Sequence, residues 1–505
     1  MRQTLQTIFV LSLIVCVLIT LFPGKIFAQG KNDTIKREKI SFRKKVEGFE
    51  ERLAAGEDKL AKRTKIRLTG YIQAQWVHCE NPAIFPNNTF MIRRARFKVK
   101  YQPVEGVIFV LQPNFSTTGI VIRDAYVELH DPWIKTFSLW AGQFNRPNFA
   151  IEYSSSEREV PERSRVIRRL YPGERGIGVK LEVTPPTFPL KVQLAVLNGN
   201  EFRVIDDIYG TNVNIWSVDF DPFKDIMARV TYGFKLGSFG KLNIGASGYF
   251  GWQKSNSTTV LNSDYTLDKN VGVGESVTRH WFGAEMQLYM DILGGMEIRA
   301  EYLMGINGYS GATGSFSVVD PAQFNLRNDT LTITSLTTNT NEVIPTIRRN
   351  FMGGYVYLIK RIGKRNQFAF RWDFYDPNTK LSGNQIGVSG YDASTSDIQT
   401  ITTIEGNNPV VVLNEVTNNL VENSLKSGSA DITYHTFTFA WNYFFTKNLR
   451  IQIAYAMPFN EKAGKDANGN SNLVKEYTVN DRPVYNDYSR VFPQNIFTLR
   501  FQAKF

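Results

Sequence analysis

The sequence predicts an all-β protein, a transmembrane antiparallel β-barrel of about sixteen strands. From Ile66 to Phe505 apolar and polar residues alternate with a period of two, as in strands whose two faces meet different surroundings. The alternating segments are about ten residues long, the length that crosses a bilayer as a tilted strand. Short and long connections alternate along the chain, as in barrels with short periplasmic turns and long extracellular loops.

The chain begins with a segment typical of an export signal. Arg2 precedes an apolar run from Ile8 to Phe22, and Ile26-Phe27-Ala28 has the pattern of a cleavage site. We therefore predict a signal peptide at residues 1–28. Its removal would leave Cys79 as the single cysteine of the mature chain, so we expect no disulfide within it.

Residues 29–64 form a strongly charged segment ahead of the first strand. The pattern of apolar residues near heptad spacing lasts about two heptads, too few for a firm coiled coil, and Gly56 falls on its seam. Two interpretations stay open: a short periplasmic helix, and a small trimerising helix below the barrel. The predicted organisation is a signal peptide at 1–28, this segment at 29–64 and a barrel at 65–505.

The strand pattern recurs in an even number of segments, as single-chain bacterial barrels require. They are 66–76, 90–101, 106–115, 120–130, 136–144, 175–184, 189–198, 225–236, 239–252, 278–290, 294–306, 350–360, 365–375, 432–445, 448–457 and 495–505. Connections after even-numbered segments are tight, and most of the others are long. Around 199–224 the interpretation stays open, because Ile215-Trp216-Ser217-Val218 could form a further strand.

The last segment combines a lipid-facing side with a closing aromatic residue. Phe497 and Leu499 alternate with Thr498 and Arg500, and the chain ends on Phe505. A barrel must close, because an open edge in hydrocarbon leaves backbone groups unpaired. A terminal Phe on an amphipathic strand also resembles the assembly signal of outer-membrane barrels, so we expect the barrel-assembly machinery to be a partner.

The predicted interior face is basic. The formal net charge of +12 would fit nucleic acid, anionic lipid or an anion path, and the export signal argues against nucleic acid. Closure of the barrel would place the first strand beside the last, so that basic residues on neighbouring strands form one continuous wall. These residues are Arg67, Arg94, Arg96, Lys98, Lys100, Arg450, Arg500 and Lys504. Arg93 breaks the alternation, and we expect it at the rim. Basic walls favour anions in a pore; the alternative is charge that only keeps the lumen wet.

The long connection at 145–174 is rich in arginine and glutamate. Its arginines are Arg158, Arg163, Arg165, Arg168 and Arg169. Guanidinium groups match the geometry of phosphate and carboxylate, so these residues are candidates for a constriction that selects anions. The alternative is that the charges pair among themselves and fasten the loop to the wall.

The sequence predicts no catalytic group, cofactor or metal ion. His78-Cys79-Glu80 has no second cluster with which to complete a metal site. Residues 466–472 depart from the spacing of a calcium loop. His130, His280 and His435 are scattered, and spacing alone assembles no nucleophile, base and orienting group from them.

Several motifs occur in a fixed order from residue 66 onward. They are Gly70-Tyr71-Ile72-Gln73, Ile92-Arg93-Arg94-Ala95-Arg96, Arg123-Asp124-Ala125-Tyr126, Ala141-Gly142-Gln143-Phe144-Asn145-Arg146-Pro147, Ser154-Ser155-Ser156, Pro161-Glu162-Arg163-Ser164 and Glu174-Arg175-Gly176-Ile177-Gly178. Together they resemble the phosphate-selective porin O/P family. The resemblance implies a sixteen-stranded trimeric barrel whose third long loop, here 145–174, folds inward and narrows the channel.

Two departures limit what the resemblance implies. The family commonly has Pro-Phe-Gly where this chain has Pro147-Asn148-Phe149. The phosphate-binding residues of the family also do not align one by one onto this loop. Phosphate specificity is therefore an expectation that the resemblance alone supplies.

These observations together predict an outer-membrane porin of a Gram-negative cell. We expect passive diffusion of small hydrophilic solutes, with anions preferred and phosphate the candidate anion, and no catalysed reaction. The expected partners are small anions, outer-membrane lipid and two further copies of the chain. Two alternatives stay open: a binding or adhesion protein acting through loops 307–349 and 376–431, and a barrel hydrolase built around His280 or His435.

Overall fold

A computed structural model describes most of the barrel part of the chain. The chain divides into two units, Met1–Leu60 and Ala61–Phe505, and the described residues lie in the second. They are 65–81, 88–116, 119–147, 150–171, 174–199, 222–255, 260–268, 271, 274–291, 294–309, 325–327, 330–332, 346–387, 401–405, 408–412, 427–479, 482–492 and 494–505. The predicted signal peptide, the segment 29–64 and the open interpretation at 215–218 lie outside these residues.

Sixteen long antiparallel strands form one closed sheet. They are β1 Ile66–Cys79, β2 Asn88–Tyr101, β3 Val107–Ser116, β4 Gly119–His130, β5 Phe137–Asn145, β6 Arg175–Val183, β7 Leu190–Asn198, β8 Lys224–Lys235, β9 Gly240–Lys254, β10 Ser276–Met290, β11 Met296–Tyr309, β12 Thr346–Ile362, β13 Asn366–Asp376, β14 Tyr434–Phe444, β15 Leu449–Asn460 and β16 Ile496–Lys504. Each strand pairs with its neighbours in sequence, and β1 also pairs with β16. Each predicted segment falls on one strand, so the predicted fold class is confirmed.

The two rims of the barrel differ as the sequence predicts. Strands β2 and β3 are joined by residues 102–106, and β8 and β9 by residues 236–239. Gly237 in the second turn has a φ of 62°, a left-handed conformation that glycine adopts without a steric penalty. The opposite rim carries the long connections, among them the β5–β6 loop at 146–174. These ends are called the short-turn rim and the long-loop rim below.

The outer face of the sheet is apolar and the inner face is polar. Ile72, Leu111 and Phe439 on the outer face are 51%, 46% and 51% exposed. Gln73, the next residue after Ile72, points inward and is fully buried. This alternation is what a wall between lipid and a polar interior requires.

Within the residues that the structure describes, helical structure is limited to short turns. Helix α1 spans Arg165–Leu170 in the β5–β6 loop, and 3₁₀ turns lie at Ala150–Glu152 and Gly383–Gln385. Across the described parts of the chain, no helix is both long enough and apolar enough to cross a membrane.

Part of the barrel interior packs like the core of a soluble protein. Val166, Ile167 and Leu170 of α1 are fully buried. They belong to a hydrophobic cluster with wall residues that include Tyr249, Trp281, Leu303, Phe351, Tyr355 and Tyr357. The Trp281 indole also donates a hydrogen bond of 2.8 Å to the Tyr171 hydroxyl at the end of α1. The apolar side of α1 is thereby attached to strands β9–β12.

A buried carboxylate joins two connections and one strand at the long-loop rim. Asp431 accepts hydrogen bonds from Arg349 Nε at 2.8 Å, Asn378 Nδ2 at 2.9 Å and the Tyr265 hydroxyl at 2.7 Å. Val260, near Tyr265 in the β9–β10 connection, pairs in parallel with Thr346 of β12. We call these residues the Asp431 junction. It ties the β9–β10 and β13–β14 connections to the top of β12.

The seam between β1 and β16 closes the barrel. Gly70 and Phe505 exchange two backbone hydrogen bonds of 3.0 Å. A Cβ atom added to Gly70 would lie 2.3 Å from the Phe505 ring, so the seam needs glycine at this position. At the other end of the seam Cys79 lies opposite Ile496, and its side chain is only 2% exposed.

Candidate functional site

The β5–β6 loop contacts amide side chains on the inner wall. Gln73 Nε2 donates to the Ser155 carbonyl at 2.9 Å, and Gln502 Nε2 donates to the Ser156 carbonyl at 2.9 Å. Gln452 Nε2 and Asn442 Nδ2 each donate to the Glu159 carbonyl at 2.8 Å. These amides belong to β1, β16, β15 and β14. The same loop therefore also touches strands other than β9–β12, to which α1 is attached.

Glu162 is the main ionic contact between this loop and the basic wall. Its carboxylate oxygens lie 3.1 Å from Arg93 Nε, 2.8 Å from Arg500 Nη2 and 3.6 Å from Arg94 Nη2. The three arginines lie on β2 and β16. Breaking a buried pair leaves a buried charge without its partner, which is strongly unfavourable, so this carboxylate fixes the loop against the seam.

A second carboxylate, Glu152, holds the start of α1. It accepts hydrogen bonds from the backbone N–H and hydroxyl of Ser164 at 2.8 and 2.7 Å. Arg371 Nη1 of β13 lies 3.1 Å from the other oxygen of Glu152. The Arg165 N–H donates to Asp373 at 3.1 Å. Two of the backbone N–H groups at the start of α1, those of Ser164 and Arg165, therefore have carboxylate acceptors.

Two β-bulges bring charged residues inward at positions that break the alternation. In β2, Gln73 lies opposite Arg94 and Ala74 opposite Ile92, so Arg93 is the extra residue. Its side chain reaches Glu162, and our expectation that Arg93 lies at the rim is wrong. A similar shift between β3 and β4 makes Arg123 the extra residue. Arg123 then lies 3.5 Å from Glu174 of the loop.

The predicted basic wall occupies two different environments. Arg94, Arg96, Arg450 and Arg500 are 2%, 6%, 4% and 1% exposed. Arg96 bonds Ser155 at 2.8 Å, and Arg94 and Arg500 bond Glu162. These buried arginines contact the loop or neighbouring wall amides.

The remaining members of the basic wall meet water. Arg67 and Lys100 are exposed, and they pair directly across β1 and β2 near the short-turn rim. Lys98 is partly exposed and lies 3.0 Å from Asp124. Lys504 is partly exposed, 3.8 Å from Glu157. The stripe from 94 to 100 is thus divided: its first half holds the loop, and its second half faces the solvent.

The arginines of the loop are divided in the same way. Arg163 is buried and donates to the carbonyls of Glu152 and Tyr153 at 2.9 and 2.8 Å, and it also pairs with Glu174. Arg158 is 4% exposed. Arg165 is half-buried with its guanidinium 3.7 Å from the centre of the Tyr434 ring. Arg168 and Arg169 are exposed.

The acidic side chains of the inner wall are mostly buried and bonded. Glu285 and Glu301 are 7% and 3% exposed. Arg229 forms a bidentate ion pair with Glu285, with hydrogen bonds of 2.6 and 2.8 Å. The Tyr355 hydroxyl donates a hydrogen bond to the Glu301 carboxylate. Asp124 and Asp373 are each 1% exposed. These carboxylates are shielded from water, as are the wall arginines Arg229 and Arg371, whereas the cationic Arg67 and Lys100 are exposed.

The structure also reveals site residues that the sequence reasoning missed. The inward amides and the apolar cluster under α1 were not identified, although the cluster left a signal in the sequence. Tyr249-Phe250 and Trp281-Phe282 place large aromatic residues on both faces of one strand. In a wall between lipid and water, such a pair indicates that the inner face is covered by protein.

The histidines separate into two groups. His280 lies beside the rings of Phe250 and Trp252, and His435 stacks on Trp372. His130 is different, because its Nδ1 lies 2.9 Å from the Ser138 hydroxyl and its Nε2 lies 2.9 Å from Glu128.

Comparison with solved structures relates this barrel to outer-membrane proteins. OprB of Pseudomonas putida is 9% identical with a TM-score of 0.50, over 90% of this chain and 97% of that chain. An anion-selective porin from Comamonas acidovorans is 9% identical with a TM-score of 0.43, over 87% and 99%. OmpT of Vibrio cholerae is 10% identical with a TM-score of 0.43, over 87% and 97%.

The likeness to OprB shows the fold alone. No protein-family model matches the chain, and no curated protein sequence matches it. At such low identities a shared barrel does not transfer an activity. The class that fold and interior define is a transmembrane β-barrel with a polar, loop-filled interior.

Proposed function

We propose that the protein is an outer-membrane porin through which small hydrophilic solutes diffuse, with anions preferred. The observation that carries the proposal is the unequal exposure of interior charges. Arg67 and Lys100 face water, whereas Glu285, Glu301 and Asp373 are buried. A low-dielectric wall focuses the field of such exposed cations in the water that it surrounds.

The mechanism is diffusion past several weak sites. An anion that enters from the long-loop rim would meet the exposed Arg168 and Arg169 first. It would then pass the β5–β6 loop and reach Lys98, Lys100 and Arg67 near the short-turn rim. Each exposed cation replaces part of the anion's hydration, and no single site is tight enough to stop the flow.

The β5–β6 loop is the proposed constriction. Its apolar side is attached to β9–β12 through α1, and its polar side to β14–β16 and β1–β2. A segment that lies inside the barrel and is fixed to both of these sets of strands narrows the lumen. Phosphate as the favoured solute, a homotrimeric state and assembly through Phe505 belong to the same proposal. The resemblance to the porin O/P family supports the first two, and the terminal Phe of an amphipathic last strand supports the third.

Conductance in a planar bilayer tests the porin proposal. Purified protein should form open channels, and at low ionic strength the reversal potential in a salt gradient should have the sign of anion preference, because salt screens the selectivity. A protein that forms no channels would favour the binding or adhesion alternative. The loops on which that alternative depends lie largely outside the described residues.

A hydrolase is the second candidate, and one observation favours it. His130 connects the Ser138 hydroxyl to the Glu128 carboxylate with both contacts at 2.9 Å, the order of groups that activates a serine nucleophile. Ser138 lies in β5, between β4 and β6, where the ladder occupies backbone N–H groups that an oxyanion would need. A fluorophosphonate probe tests this: labelling that Ser138→Ala abolishes would establish the hydrolase, and unlabelled protein would exclude a reactive serine there.

A further inference from the structure

Gln143 places a polar side chain on the apolar outer face of the barrel. It lies in β5 opposite Ala125 of β4, and the nearby outer-face residues Leu139 and Ile122 are 41% and 50% exposed. An amide that faces hydrocarbon is unfavourable unless its hydrogen-bonding groups have partners. The proposed path of solutes makes no use of this residue, which belongs to the sequence motif at 141–147.

The Gln143 amide bonds two consecutive backbone carbonyls of β4. Its Nε2 donates to the carbonyl oxygens of Ile122 at 2.8 Å and of Arg123 at 2.9 Å. In a regular strand, consecutive carbonyls point to opposite sides, so one donor group can reach both only where the strand is distorted. The ladder of β4 with β5 ends at the pair Ala125–Gln143. The Gln143 side chain therefore continues the contact between the two strands toward the long-loop rim.

The distortion is the bulge of β4. The pairing of β3 with β4 shifts by one residue between Gln112 and Pro113, which leaves Arg123 as the extra residue. Proline has no backbone N–H, and within sheets it is tolerated at such bulges. The bulge thus has Pro113 beside it on β3 and Gln143 beside it on β5.

The bulge turns two consecutive charged side chains inward. Arg123 and Asp124 are 3% and 1% exposed. Arg123 lies 3.5 Å from Glu174, and Asp124 accepts a hydrogen bond of 3.0 Å from Arg175 Nε. Both residues therefore hold the chain where the β5–β6 loop ends and β6 begins. In a strand of strict period two, one of these two charged side chains would point toward lipid.

We propose that Gln143 is a positioning residue: its lipid-facing amide caps the bulge and thereby holds Arg123 inward against the β5–β6 loop. A bulge removes backbone groups from the ladder. Such groups are strongly unfavourable in hydrocarbon, because no water replaces the lost partner. Gln143 supplies the donors that the two carbonyls need. The inference concerns the wall itself and does not depend on any solute crossing the barrel.

Gln143→Met tests the cap, because methionine has a side chain of similar length but no N–H donor. Two carbonyls lose their donors, so the equilibrium constant for unfolding in urea should rise about tenfold or more. Asn145→Leu is the matched control on the same face of β5. Within the residues that the structure describes, the Asn145 Nδ2 and Oδ1 atoms have no hydrogen-bond partner, so this change should not weaken the barrel.

Deletion of Arg123 separates capping from general packing. The deletion removes the extra residue, so β4 can pair regularly and the two carbonyls no longer need a side-chain donor. Gln143→Met should then add little further loss. An equal loss with and without the deletion, or a Gln143→Met barrel as stable as the unchanged protein, would overturn the proposal. If Gln143→Met yields no folded barrel while Asn145→Leu does, the double variant decides: its folding supports the cap, and its failure overturns it.

The direction of residue 122 is a readout that a change in packing alone would not alter. A fluorophore attached to Ile122→Cys, with Cys79→Ala removing the natural thiol, should be quenched by brominated lipid, because Ile122 faces the bilayer. In Gln143→Met the bulge is no longer fixed, and the quenching should fall. Asn145→Leu should keep the quenching of the unchanged barrel. Undiminished quenching in a destabilised Gln143→Met barrel would assign Gln143 to packing only and overturn the proposal.

Discussion

Single cationic residues of the interior differ mainly in what lies beside them. Arg94 and Lys100 belong to one stripe of one strand, and period-two alternation turns both inward. Arg94 contacts Gln73 at 3.0 Å and Glu162 at 3.6 Å, whereas Lys100 is exposed. The sequence could predict the direction of each side chain. It could not predict the contact, because the loop residue that bonds the wall is far away in the chain.

Lys98 and Lys100 are expected to set selectivity, since Lys100 is exposed and Lys98, although paired with Asp124, is partly exposed. Replacing both with Gln should move the reversal potential toward zero, because the cations that concentrate anions are removed. The measurement is the reversal potential at low ionic strength. Arg490→Gln, outside the barrel wall, is the control and should leave the potential unchanged. An unchanged potential in the double variant would assign the selectivity to the loop.

Glu162 is expected to be critical for stability. Glu162→Gln removes the charge that three arginines share, and the change should lower the free energy of unfolding by about 3–5 kcal/mol. Glu157→Gln is a matched control, because the Glu157 side chain is 73% exposed and its loss should cost about 1 kcal/mol or less. Urea unfolding in detergent measures both. Equal effects would contradict the role assigned to Glu162.

At the scale of elements, the strands were predictable and the interior packing was not. The alternation covers both faces of every strand, so each strand carries its own signal. The bulges at Arg93 and Arg123 break that alternation, and consecutive inward residues cannot be recognised from a strict period of two. Helix α1 has six residues, too few to be stable alone. It exists because the wall packs against it, and the wall residues are distant in sequence.

The packing of α1 leads to a prediction for Ile167. Ile167→Ala should lower the free energy of unfolding by about 2–5 kcal/mol, because it leaves a cavity in a closely packed cluster. The neighbouring exposed residue Arg168 provides a comparison. Arg168→Ala should change the free energy of unfolding by less than about 0.5 kcal/mol. Denaturant unfolding gives both values. We also expect Ile167→Ala channels to show noisier current, since α1 fixes the loop; a quiet trace would argue against that role.

The Asp431 junction should be sensitive to strong acid only. Burial alone would raise the pKa of Asp431, but the charge of Arg349 outweighs it and holds the pKa below its ordinary value. Such a carboxyl contributes stability above its unfolded pKa of about 3.9 and loses it as the pH falls through the lower folded pKa. The hydrogen-exchange protection factors of residues 427–433, which correct for the intrinsic pH dependence of exchange, should therefore be constant between about pH 5 and pH 8 and fall in stronger acid. Asp431→Asn should remove the acid-induced change.

For the whole molecule, the regular repetition of strands made the architecture predictable. An even number of similar segments can bury every backbone group only by closing, and β1 does pair with β16. The contents of the closed wall were less predictable. Which charges face water depends on how one loop lies across the interior, and this arrangement involves contacts among many distant strands at once.

Closure should depend on the fit between Gly70 and the last residue. Gly70→Ala would place a methyl group against the Phe505 ring and the Arg96 carbonyl, so the seam must shift or open. We expect a marked fall in the yield of heat-resistant folded barrel, seen as a change in gel mobility on boiling. Gly469→Ala is a control for loss of glycine without a steric contact: an added Cβ there meets nothing within 4 Å, although the φ of 83° makes alanine unfavourable, and a normal yield is still expected because Gly469 lies outside the seam. Normal folding of Gly70→Ala would show that the seam tolerates the displacement.

The seam also contains its own chemical reporter. Cys79 lies at its long-loop end with the thiol side chain covered, so a maleimide can react only when the ends of β1 and β16 separate. The rate of modification therefore measures how often the wall opens there, without any engineered label. Comparing that rate in detergent, in bilayers of different thickness and after changes such as Gly70→Ala would show how firmly lipid keeps the first and last strands together.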